Sequence, residues 1–221
     1  MTTMLRLLVT GFGPFPGAPY NPTPDLVERL TRLRRPLLHD VTTICHVFPV
    51  TYQAVDRQFP VLLARYRPHA LLMFGLAAQT RYLRVETRAR NAVTGLWPDA
   101  VGDRLAGGGR IGPGPDVLPF GPHTGQLLRA AQSTGIDARL SRNAGSYLCN
   151  YLCWQALDAA RRGAGPKLSA FIHVPLVARQ QKPRPRPVTG PLNLRDLVAA
   201  SEAALLQIVA LARHKVGQVE E

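Results

Sequence analysis

Cysteine is scarce in this chain of 221 residues: Cys45, Cys149 and Cys153 are all it has. Three is an odd number and too few for a disulfide scaffold. Cys149 and Cys153 would stand one helical turn apart, where a disulfide is strained. Their spacing also lacks the second Cys or His pair that structural zinc needs, so no metal is expected. Lysine is just as scarce, three residues against 24 arginines, so arginine carries nearly all the basic charge behind the net +13. The arginines are scattered among many alanines, glycines and prolines, which reads as compositional bias, and no nucleic-acid partner is expected. No apolar run approaches the length of a membrane span, and no membrane association is expected. The first apolar run, residues 5–10, is short and enters a Gly/Pro turn, as a first strand does and a signal peptide does not. The chain is therefore expected to be cytoplasmic.

What is present fits one compact domain over residues 1–221. The chain is 46% hydrophobic, with seven Phe, six Tyr and two Trp to fill a core. Residues 5–10 read as a strand, and Thr23 and Pro24 as the N-cap and first position of a helix with Leu26, Val27, Leu30 and Leu33 on one face. Residues 41–47 form a β-branched run. A helix is expected over residues 52–66, with Pro60 marking a kink or a break. Residues 69–74, 137–141 and 168–174 are candidate strands. Asn193 caps a closing amphipathic helix carrying Leu194, Leu197, Val198, Leu205, Ile208, Val209 and Ala212. Alternating strands and helices predict a three-layer α/β/α sandwich with a mixed, mostly parallel central sheet. Residues 92–124, rich in Gly and Pro, read as a long loop. Residues 179–190 read as an exposed, basic, proline-rich loop.

The chemistry concentrates in residues 141–153, where Cys149 falls at the first turn of a helix entered from a strand and a small-residue turn. A helix N-terminus offers unpaired N–H groups and partial positive charge, which favour a thiolate and can hold an oxyanion. Residues 171–175 read as a buried strand delivering His173 to a strand end. A thiol and an imidazole so placed suggest a nucleophile with its base. Glu86 is the candidate to orient that base, although as a residue alone it reads more readily as a partner of Arg84 or Arg88 on a solvated strand.

Four segments together resemble pyroglutamyl peptidase I (pyrrolidone-carboxylate peptidase), a family of cysteine exopeptidases. They are residues 9–15 with Asn21, Pro22 and Thr23; Gly75 followed by Val85, Glu86 and Asn91; residues 143–150 around Cys149; and residues 171–175 around His173. The resemblance implies Cys149 as nucleophile, His173 as acid and base, and Glu86 as its orienter. It also implies a pocket for the flat, uncharged pyroglutamyl lactam, walled by Phe12, Phe15, Tyr147 and Leu148. No cofactor is implied, since the thiolate is the nucleophile. The implied partners are peptides with an N-terminal pyroglutamate and further copies of the chain, as a dimer or tetramer. Some positions depart from the family pattern: Thr87 replaces an arginine, Gln79, Thr80 and Arg81 replace a Gly-Arg turn, and Leu96 replaces an arginine thought to act at the site. Arg81, Arg84 and Arg90 are candidate substitutes. These departures leave two other readings open: the same triad acting on another N-acyl or lactam group, or a binding protein without turnover.

Overall fold

The structure, a computed structural model, describes residues 4–15, 17–105, 109–178 and 190–217. Its elements run β1 (Leu5–Phe12), α1 (Thr23–Thr31), β2 (Val41–Phe48), α2 (Tyr52–Tyr66), β3 (Ala70–Leu76), β4 (Leu83–Glu86), β5 (Arg88–Arg90), β6 (Val117–Pro119), α3 (His123–Gln132), β7 (Ala138–Ser141), α4 (Leu148–Arg161), β8 (Leu168–Val174) and α5 (Leu194–Gly217). Six strands form one sheet in the order β2-β1-β3-β8-β4-β7. Every pairing in it is parallel except β4 with β8. β5 and β6 make a separate antiparallel pair.

Period-two alternation along the central strands divides the core into two layers. Leu5, Leu7 and Val9 of β1 and Ala70, Leu72 and Phe74 of β3 pack toward Leu26 of α1, Leu127 of α3 and Leu197 of α5. Leu8 and Phe12 of β1, Leu71 and Met73 of β3, and Phe171 of β8 pack toward Phe59 of α2 and Leu152 of α4. Helices on both faces of a mostly parallel sheet make the α/β/α sandwich that the alternation predicted.

The differences from expectation have local causes. Thr23 does not cap α1: Pro22 holds that position and makes no side-chain cap. The Thr23 hydroxyl instead donates to Phe12 O at 2.8 Å and accepts from Phe12 N at 3.1 Å, tying the end of β1 to the start of α1. Pro60 does not break α2, which runs on through it. Phe59 and Leu63, 3% and 6% exposed, anchor both sides of the proline in the core. The loop expected over 92–124 contains strand β6 and the first residues of α3, regular structure that a window dense in Gly and Pro obscured. Of the basic segment expected over 179–190, residues 179–189 lie outside the described residues. Asn193 does cap α5, through a reciprocal pair: Asn193 N donates to Asp196 Oδ2 at 2.9 Å and Asp196 N to Asn193 Oδ1 at 3.0 Å.

Candidate active site

The carboxyl ends of β3 and β8 lie side by side, with Gly75 in register with His173. β4 runs antiparallel to β8 and sets Arg84 opposite His173. Two residues further on, Glu86 ends the strand fully buried. Its Oε1 lies 2.8 Å from His173 Nδ1. That bond places the Nδ1 proton toward the carboxylate and leaves Nε2 for another partner. The other partner is Cys149, whose side chain interacts with the imidazole and favours its protonated form.

Cys149 is the second residue of α4, whose N-cap Tyr147 is extended and makes no side-chain cap. The start of the helix thus keeps its N–H groups free of an N-cap side chain. The thiol lies directly on β3: a Cβ built at Gly75 would stand 2.7 Å from Cys149 Sγ and 2.6 Å from the Phe171 ring. Glycine is needed here for close approach rather than for backbone angle.

Burial alone would push the His173 pKa down. The negative charge and hydrogen bond of Cys149, followed by those of Glu86, outweigh it, and the pKa is raised to about 9. His173 therefore carries its proton at neutral pH. Cys153 differs: burial pushes its thiol well above the ordinary range, as suits a core residue one turn away.

A set of polar contacts fixes the turn that leads into Cys149. Asn150, fully buried, accepts from Arg90 N at 2.9 Å and donates to Arg90 O at 2.8 Å and Ala92 O at 2.9 Å. The Arg88 guanidinium donates to Arg142 O at 2.9 Å, and Arg90 to Gly145 O at 3.0 Å and Asn143 Oδ1 at 3.1 Å. Arg84 bonds Ser141 Oγ at 2.7 Å, contacts Asn143 O and pairs with Glu86 at 3.0 Å. Of the three candidate arginines, Arg84 and Arg90 thus bind the turn and the acid, while Arg81 lies in the connection between β3 and β4. Leu96 is 75% exposed.

The four expected pocket residues divide into two pairs. Phe12 and Leu148 are 4% and 1% exposed and belong to the core, Phe12 with its ring 5.9 Å from that of Phe48. Phe15 and Tyr147 are half-buried, with ring centroids 6.3 Å apart. Tyr52 extends this aromatic group, 5.9 Å from Tyr147. Sequence reasoning missed Tyr52, Asn150 and Asp99, whose buried carboxylate accepts from Tyr52 N at 3.1 Å. Asn150 sits inside the cysteine segment, but its partners lie 60 residues away in sequence, where no local spacing points to them. Among the described residues, no cluster of His, Cys, Asp or Glu could hold a metal ion.

A family model for pyroglutamyl peptidase matches residues 5–210. The chain is 30% identical over 177 residues to the pyrrolidone-carboxylate peptidase of Pyrococcus furiosus, a match covering 80% of this chain and 83% of that protein. It is 30% identical over 172 residues to the pyrrolidone-carboxylate peptidase of Oceanobacillus iheyensis, covering 78% of this chain and 84% of that one. The solved pyrrolidone carboxyl peptidase of Thermococcus litoralis superposes with a TM-score of 0.81 at 25% identity, covering 94% of each chain. Matched over nearly its whole length by sequence and by fold, the chain belongs to the pyroglutamyl peptidase family of cysteine peptidases.

Proposed function

We propose that the chain hydrolyses the amide bond after an N-terminal pyroglutamyl residue through a thioester on Cys149. The observation that carries this reading is the continuous contact from Glu86 through His173 to Cys149, with the thiol at the start of α4. The Cys149 thiolate attacks the pyroglutamyl carbonyl carbon. N–H groups in the first turn of α4 receive the developing oxyanion. His173 then gives its proton to the departing amine, and the C–N bond breaks to leave a thioester. Next, His173 takes a proton from water, whose oxygen attacks the thioester and releases pyroglutamate and the thiolate. Glu86 fixes the ring through Nδ1 and stabilises the imidazolium in both halves of the cycle. Phe15 and Tyr147 would offer aromatic faces to the lactam, above a floor formed by Phe12 and Leu148.

On this reading residues 1–221 act as a single catalytic domain on peptides with N-terminal pyroglutamate, in the reducing cytoplasm that an oxidisable thiolate requires. Assembly into dimers or tetramers follows from the resemblance. No described helix is long and apolar enough to cross a membrane. Reduced protein is expected to release the fluorophore from a pyroglutamyl aminocoumarin amide. Turnover of acetyl or prolyl amides in preference to the pyroglutamyl one would instead favour the altered-specificity reading.

A further inference from the structure

Two large apolar side chains stand in solvent beside the nucleophile's turn, Leu96 at 75% and Trp97 at 66% exposed. The segment carrying them is fastened at both ends to the residues just before Cys149. Thr94 N donates to Ser146 O at 2.8 Å, and the Tyr147 hydroxyl donates to Pro98 O at 2.9 Å. Leu96 N closes a small turn onto Thr94 Oγ1 at 3.1 Å. Just beyond, the buried Asp99 carboxylate accepts from Tyr52 N at 3.1 Å, Val101 N at 3.1 Å and Asp103 N at 2.9 Å. The strap is therefore built to hold its position, and Leu96 and Trp97 are presented outward from it.

On the reading given under Proposed function, the lactam ring lies among half-buried aromatics. Side chains as exposed as Leu96 and Trp97 cannot enclose a small ring, but they can line an open groove. The substrate needs such a groove on its leaving side, where the peptide continues into solvent. We infer that Leu96 and Trp97 form an apolar wall for the side chain of the residue that follows pyroglutamate. The chain should then prefer leucine or phenylalanine at that position to glycine or serine.

The test compares kcat/KM for pyroglutamyl-leucine amide and pyroglutamyl-glycine amide. The expected ratio is roughly tenfold in favour of leucine, and Leu96→Ala and Trp97→Ala should each bring it most of the way to one. Trp97→Phe should keep it. A second readout does not need turnover. The chain has two tryptophans, and Trp154 is 2% exposed, so a ligand-dependent blue shift reports on Trp97. In Cys149→Ala the leucine amide should produce that shift and the glycine amide should produce less. Turnover with the same ratio in both alanine variants overturns the inference while leaving the proposed activity standing. An unchanged ratio together with conversion of an oligomer to monomers would assign the patch to contact between copies, which also overturns it. Absence of turnover on every pyroglutamyl amide overturns the proposed activity and this inference with it.

Discussion

Replacing Glu86 by glutamine would keep its shape and remove its charge. An amide at Nδ1 can bind the wrong tautomer and no longer favours the imidazolium, so kcat is expected to fall by about 10³-fold. The pKa of His173 should drop from its raised value of about 9, moving the alkaline limit of kcat/KM on a pyroglutamyl amide, where the imidazolium must protonate the departing amine, to lower pH. An unchanged pH profile would contradict the role given to Glu86. Gly75→Ala tests the other side of the site. The added methyl would stand 2.7 Å from Sγ and 2.6 Å from the Phe171 ring, so thiol or ring must move. Alkylation and turnover should both fall at least tenfold, since small misplacements of reacting atoms are costly. Cys149 and His173 were singled out in the sequence by a few adjacent residues each, and the structure brings them together with Glu86. Glu86 was a candidate for the scarcity of acidic residues and its β-type alternation, and the family resemblance is what turned the reading toward it. As a residue it looked like a surface partner of Arg84, and it does pair with Arg84, yet it is buried because β4 is inserted between β8 and β7.

At the scale of elements, α4 depends on β5 for its position. Asn150 makes three bonds to the backbone around Arg90 and Ala92 from a fully buried position. Asn150→Ala would leave two carbonyls and an N–H without their partner and is expected to destabilise the fold by about 2–4 kcal/mol, read as a lower urea midpoint. Residual activity should fall further than stability accounts for, because the start of α4 would be free to shift; activity restored fully wherever the variant is folded would limit Asn150 to a structural role. The strands β1, β2, β3 and β8 were legible because each is an apolar or β-branched run. β5, β6 and α3 were not, since three-residue strands have too few side chains to set a period and α3 begins at the end of a Gly/Pro-rich stretch. Thr23 shows the same limit in another form: Thr-Pro is a helix-start signal, and tertiary contact with Phe12 claimed the hydroxyl instead.

For the molecule as a whole, the raised His173 pKa links stability to pH. The folded state holds this proton more tightly than the unfolded chain, whose imidazole sits near 6.5. The contribution is therefore complete below 6.5 and lost as pH rises through about 9. The urea midpoint should fall across that window in the wild type and fall less in His173→Gln; equal slopes in the two proteins would contradict the linkage. The sandwich as a class was legible from alternation alone, because each strand–helix unit repeats the same burial pattern. Strand order was not, since the antiparallel entry of β4 beside β8 is decided by packing between residues far apart in sequence.

The most direct test is to follow hydrolysis of a pyroglutamyl peptide by reduced protein, measuring free pyroglutamate and free amine together, in the wild type and in Cys149→Ala. Equal amounts of both products from the wild type, an acyl adduct of pyroglutamyl mass on Cys149 after acid quenching, and no products from Cys149→Ala are the predicted result. No release by the wild type, or undiminished release by Cys149→Ala, would contradict the account.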